Sequence, residues 1–144
     1  MGLKIRKVDG SSEHYAALLS QLHDEIFGDS APPVETNYGY WWIVYDEGAP
    51  IGFAGIVPST LADDVGYLKR AGVLPQYRGQ GLQRRLLKVR EAEAKRQGWS
   101  RVITDTSYSN IHSSNNLIRA GYRLFEPPLR WAFKSGLYWM KAIA

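Results

Sequence analysis

The chain has 144 residues, 44% of them hydrophobic, a formal net charge of +4 and no cysteine. That length gives one domain a sizeable core and is short for two, so a single domain over residues 1–144 is expected. Without cysteine, a disulfide framework, a thiolate nucleophile and a thiolate metal ligand are excluded. The N-terminus lacks a signal-like apolar stretch, and no run of roughly 18 apolar residues could span a bilayer, so a cytoplasmic protein with no membrane partner is expected.

Leu3 to Val8 alternates apolar and charged positions, which predicts a half-exposed strand. Asp9, Ser11 or Ser12 can cap the segment that follows. There Tyr15, Leu18, Leu19, Leu22, Ile26 and Phe27 recur at helical spacing as far as Gly28. "GDSAPPVETNYG" then reads as a loop with room for a short helical turn. "YWWIVYD", "PIGFAGIVPS" and "DVGYLKRAGVLP" are rich in aromatic and β-branched residues and are separated by "EGAP" and "TLAD", which predicts a meander of three strands. In the first of these, Tyr40, Trp42 and Val44 would share one face and Trp41, Ile43 and Tyr45 the other. Most are expected in the core, with one or two of them, or Tyr38, lining an acceptor pocket.

After Pro75 the period changes. Leu82, Leu86, Val89 and Ala92 follow a three-to-four spacing until Gly98, which predicts a helix. "RVITDTSYS" reads as a strand, "NIHSSNNLIRAG" as a short helix ended by Gly121, and "YRLFEPP" as a strand stopped by two prolines. A last apolar run, "GLYWMKAIA", is expected to pair either within the domain or across a homodimer. The order indicates an α/β or α+β domain on a mixed sheet.

"RAGVLPQYRGQGLQRRLL" places Gly79 and Gly81 where the strand gives way to the helix. One reading is a tight turn. The other is a helix N-terminus whose unpaired N–H groups and aligned dipoles hold a phosphate, with the glycines removing side chains that would block close approach. A Walker A loop is excluded because no Gly-Lys-Ser/Thr triplet exists, and the Rossmann fingerprint fails because Arg84 stands where its third glycine belongs. Arg78, Arg84, Arg85, Lys88, Arg90, Lys95, Arg96 and Arg101 crowd the same region against Glu91 and Glu93. Such a cluster suits a phosphate ligand, a nucleic-acid surface or a solvated helix face.

"VLPQYRGQGLQRRLL" resembles the acyl-CoA-binding motif of the GNAT N-acetyltransferase superfamily, with Arg78, Gly81 and Gln83 at the defining places; Gln83 replaces the family's usual small residue. "SNIHSSNNLIRAGYRLF" is similar to that family's next segment, with Asn110, Gly121 and Tyr122 in position. The resemblance implies a central mixed sheet with helices on both faces and acetyl-CoA as co-substrate. It also implies an amine acceptor; no metal is expected, because His14, His23 and His112 make no metal triad. By the same resemblance, the backbone of Ala71, Gly72 and Val73 would pair with the pantetheine arm, with Gly72 suited to a bulge. The pyrophosphate would meet Gly79, Gln80, Gly81, Leu82, Gln83 and Arg84, helped by Arg78 or Arg85, and Asn110 and Asn116 would complete the cofactor side.

In the implied reaction an amine attacks the thioester directly. A free primary amine with a pKa near 10.4 is protonated at neutral pH, so a base or water chain must take a proton. Asp105, on the strand after the loop helix, is the preferred base; its bland alternative is a carboxylate bonded to backbone or an arginine. Asp63, Asp64 and Glu25 are weaker candidates. The Val73 N–H would donate to the oxyanion, as in the family. Leu117 stands where many members carry the tyrosine that protonates the departing thiolate, so Tyr108, Asn116, Ser113, Tyr122 or solvent would have to assist. His14, His23 and His112 lack metal-ligand spacing. A module that binds acyl-CoA without turnover, or nucleic acid through the basic helix, is the alternative; arginines gathered behind a glycine loop favour a compact phosphate ligand over nucleic acid. The positive balance favours an acceptor with acidic groups, but residues 28–40 and 59–64 carry no acceptor signature.

Overall fold

The computed structural model describes residues 2–132 and 135–143; Ala144, the end of the predicted last strand, lies outside them. The elements are β1 (Leu3–Val8), α1 (Glu13–Phe27), β2 (Tyr40–Asp46), β3 (Ala49–Pro58), β4 (Val65–Val73), α2 (Leu82–Arg96), β5 (Arg101–Ser107), α3 (Ile111–Arg119), β6 (Arg123–Leu124) and β7 (Gly136–Ala142). Short 3-10 turns stand at Gly28–Ser30, inside the predicted loop, and at Pro75–Tyr77. The strands form a seven-stranded mixed sheet in the order β1-β2-β3-β4-β5-β7-β6, with three helices. No helix among the described residues is long and apolar enough to cross a membrane. Residue packing divides the chain into two compact units. One comprises the residues up to Val57 together with Lys69–Leu86; the other comprises Pro58–Leu68 together with the residues from Leu87 on.

In the first unit, Ser12 caps α1 by accepting from the Tyr15 N–H at 3.1 Å. β1 pairs antiparallel with β2, and β2 with β3. Glu47 and Gly48, both at positive φ (48° and 89°), make the two-residue β2–β3 turn; that pairing of signs is the primed hairpin geometry that matches strand twist. Trp41, Trp42, Ile43 and Val44 are all buried, so both faces of β2 are covered and neither of the tryptophans reaches solvent as an acceptor-lining residue would. Val44, Ile51, Ala54 and Val73 pack with Leu82 and Leu86 from the first turns of α2. Each of the valine, isoleucine and leucine side chains contributes about 1.5–3 kcal/mol on burial, which fixes the start of α2 against the end of β4.

In the second unit, β5 pairs with β7 along its whole length, from Arg101↔Ala142 to Ser107↔Gly136. Its parallel ladder with β4 is short, running from Val65↔Arg101 to Tyr67↔Ile103. β7 pairs within the chain, between β5 and β6. The predicted strand "YRLFEPP" is reduced to Arg123–Leu124, because Pro127 and Pro128 have no N–H to offer a ladder. Glu91 of α2 accepts from the Tyr122 hydroxyl at 2.8 Å and the Lys141 ammonium at 3.0 Å, joining α2 to the segment after α3 and to β7.

Candidate functional site

The glycine loop lies in the first unit. After β4 the Leu74 N–H continues the pairing to the Ile51 carbonyl at 2.8 Å, and Pro75–Tyr77 turn the chain. Tyr77 anchors that turn by donating its hydroxyl to Asp46 Oδ2 at 2.6 Å. Gly79 and Gly81 then take φ values of +80° and +77°. These are left-handed conformations that cost an L side chain about 1–2 kcal/mol, and a Cβ built at either position would meet nothing within 4 Å. The glycines are therefore demanded by backbone conformation, and the space beside them is open.

The Gly81 carbonyl accepts from the Arg85 N–H at 3.2 Å, so Gly81 caps α2 and the following residues form its first turn. Among the described residues, the N–H groups of Gly79, Gln80, Gly81, Leu82, Gln83 and Arg84 donate to no carbonyl or side chain. Leu82 is buried and anchors the turn, whereas Gln80 and Arg84 are exposed and Gln83 half-buried. Arg78, Arg84 and Arg85 are exposed and form no salt bridge among the described residues. Amides without partners among the described residues, the positive end of a helix dipole and three exposed arginines lie on one stretch of chain, a combination suited to an anion. Ala71 is half-buried, and Gly72 and Val73 are buried, immediately before it. Gly72 has a packing reason for lacking a side chain: a Cβ there would fall 2.7 Å from Ile26 Cγ2 of α1.

Asp105, Tyr108, Asn110 and Asn116 lie in the second unit. Asp105 Oδ2 accepts two hydrogen bonds, from the Tyr67 hydroxyl at 2.5 Å and from the Trp131 indole N–H at 2.7 Å. Oδ1 has no partner among the described residues, and Asp105 makes no salt bridge among them. Neither bland expectation for this carboxylate, a backbone bond or an arginine, describes its surroundings. Tyr108 is 70% exposed, and its N–H donates to the Ser135 carbonyl at 2.8 Å. Asn110 caps α3, with Oδ1 accepting from the Ser113 N–H at 3.2 Å; Asn116 lies on α3, half-buried. Leu117 is buried, so the position that could have carried a tyrosine faces the core.

Tyr122 is also buried. Burial first, and then the charge and hydrogen bond of Glu91, push its hydroxyl above the usual tyrosine range, and that hydroxyl is committed to Glu91. Asp64 is occupied locally, accepting from the Ser100 hydroxyl at 2.5 Å. No group of three metal-ligating side chains occurs among the described residues. Sequence reasoning overlooked Trp131. Its signal was a tryptophan isolated in the proline-rich stretch "EPPLRW", outside any predicted element.

Comparison with known proteins bears on the fold and the family. No curated protein matches the sequence. Among solved structures the chain is similar to an acetyltransferase from Streptococcus agalactiae (TM-score 0.77, 17% identity, covering 98% of each chain). It is also similar to the ribosomal-protein-S18-alanine N-acetyltransferase of Escherichia coli (TM-score 0.78, 16% identity, covering 99% of this chain and 94% of that one). A third is a chain of the NatC complex solved with Gag peptide and CoA (TM-score 0.77, 17% identity, covering 100% of both). At these identities the likeness concerns the fold. The sequence pattern of the Acetyltransferase (GNAT) family matches residues 10–122, which take in the glycine loop, Asp105 and α3. On that match, this chain belongs to the GNAT family of acetyltransferases.

Proposed function

We propose that the chain works as one cytoplasmic domain that transfers the acetyl group of acetyl-CoA to a primary amine. The observation that carries this reading is the loop from Arg78 to Arg84, where two glycines at positive φ stand with N–H groups and arginines that have no partner among the described residues, at the start of α2. The residues present fit a pyrophosphate: the amides of Gly79 to Arg84 would hold it, with Arg78, Arg84 or Arg85 on its remaining oxygens. Ala71, Gly72 and Val73 would offer backbone to the pantetheine arm, and Asn110 and Asn116 would complete the cofactor side. When bound, acetyl-CoA supplies the activated acyl group. The lack of cysteine fits a reducing compartment.

Three tasks then fall to this chain. Asp105 takes the proton that the acceptor amine must lose before its nitrogen can attack. The Val73 N–H stabilises the negative charge developing on the thioester oxygen. Tyr108 is the hydroxyl we assign to the departing sulfur, since Leu117 and Tyr122 are both buried; solvent can supply the same proton. The balance is simple: an N–C bond forms, the C–S bond breaks, the amine proton leaves through Asp105 to water, and the thiolate regains one.

Asp105→Asn tests this directly, because asparagine can still accept from Tyr67 and Trp131 but cannot take a proton. The expected result is a rate about 10²–10⁴-fold lower at neutral pH, partly recovered at high pH where the amine is already neutral. A rate equal to the wild type across pH would remove Asp105 as the base.

A further inference from the structure

The surroundings of Asp105 also speak to the acceptor. Its two donors, Tyr67 and Trp131, are neutral and both bind the same oxygen. Among the described residues Arg130, next to Trp131 in the chain, is engaged elsewhere: it donates to both Glu126 oxygens at 3.3 Å and to the Gly136 carbonyl at 3.0 Å, and lies 4.9 Å over the Tyr138 ring. No salt bridge among the described residues engages the Asp105 carboxylate, which leaves it open to a cationic ligand. Around it stand aromatic faces. The Trp131 ring is perpendicular to Tyr67 at 6.1 Å and to Tyr138 at 4.6 Å, and Phe125 lies 6.4 Å away. Trp131 is 41% exposed, so this wall is open on one side. A carboxylate with one oxygen unpartnered among the described residues, beside the partly exposed Trp131 ring, is complementary to an ammonium carried on an apolar group. It repels a carboxylate or phosphate.

We propose that Tyr67 and Trp131 are positioning residues that hold Asp105 by Oδ2, leaving Oδ1 to receive the acceptor's ammonium, and that the acceptor is a cationic amine whose apolar part lies against Trp131. This deepens the acetyltransferase reading and rests on it. It reverses the expectation, drawn from the overall positive charge, of an acceptor bearing acidic groups: the local carboxylate outweighs a net charge spread over the surface.

The test compares three amines with full-length protein and acetyl-CoA, following release of CoA thiol: phenethylamine, n-butylamine and glutamate. Wild-type protein should turn over phenethylamine with the highest kcat/KM and glutamate with the lowest. Trp131→Phe keeps a ring but loses the N–H; kcat should fall roughly tenfold while the preference for phenethylamine over n-butylamine survives. Trp131→Ala should lose that preference through a raised KM for phenethylamine alone. Tyr67→Phe should lower kcat as Trp131→Phe does. An unchanged acetyl-CoA Kd in each variant serves as the folding control. If the wild type binds acetyl-CoA but turns over none of the amines, the acetyltransferase reading fails and the inference falls with it. If it is active but glutamate is the best acceptor, or Trp131→Ala leaves the preference intact, the inference alone is overturned.

Discussion

Gly81→Ala separates the two uses to which the glycine loop could be put. Gly81 sits at φ +77°, where an L residue costs about 1–2 kcal/mol, and a Cβ there touches nothing within 4 Å, so no clash adds to that cost. In a domain of this size each kcal/mol is worth roughly 3–4 °C, so the unliganded melting temperature should fall by about 3–8 °C. The effect on ligand should be larger. The added methyl and the relaxed backbone would disturb the N–H groups at the start of α2. Losing one charge-assisted hydrogen bond, about 1.5–3 kcal/mol, weakens binding roughly ten- to hundredfold. Thermal melts without ligand and calorimetric titration with acetyl-CoA read the two quantities separately. A lowered melting temperature with an unchanged acetyl-CoA Kd would refute the anion-site account and leave Gly81 as a turn residue.

Replacing Arg78, Arg84 or Arg85 by alanine should change stability by less than about 0.5 kcal/mol, since all three are exposed and free of salt bridges among the described residues. Acetyl-CoA affinity should nevertheless fall severalfold for those that reach the phosphates, and the difference from wild type should shrink in high salt, measured as Kd against ionic strength. His23 is buried, and its Nε2 accepts from Arg70 at 3.2 Å while Nδ1 has no partner among the described residues. Burial first, then the Arg70 charge, hold its pKa below the usual 6.5. Between that lowered value and 6.5 the unfolded chain binds more protons than the folded one. The His23 contribution to stability is therefore complete above about pH 6.5 and lost as pH falls, and His23→Gln should flatten this part of the pH dependence in urea unfolding. Tyr122→Phe removes the hydroxyl that Glu91 accepts; it should cost about 1–2 kcal/mol in denaturant unfolding and leave kcat unchanged, whereas a large loss of kcat would return Tyr122 to the chemistry.

Local signals made most of the fold legible. The alternation in Leu3–Val8, a cap among Asp9, Ser11 and Ser12, the leucine spacing after Gly81 and the break at "EGAP" each report geometry set within a few residues. The place of β7 was not legible. A strand that enters between β5 and β6 is chosen by pairing across the chain, and its hydrophobic pattern would serve equally at an edge. The glycine loop was half legible: its spacing marked a candidate anion site, but only φ explains why alanine would not serve there. Asp105 could be nominated from its strand, while its setting could not, because its donors come from 38 and 26 residues away. The aromatic run at Trp41 and Trp42 drew attention as the richest in the chain, yet both faces of that strand are covered. The exposed ring beside the carboxylate is Trp131, from a loop with no periodic signal.

The central claim is that this chain moves an acetyl group from CoA to an amine. The most direct measurement incubates the protein with acetyl-CoA and a panel of primary amines, following free CoA thiol and the acetylated amine together by mass spectrometry. The account predicts that the two products appear in equal amounts with at least one cationic amine and that Asp105→Asn suppresses both. Tight acetyl-CoA binding with no thiol released in the presence of any amine would contradict it and make the chain a CoA-binding module without turnover.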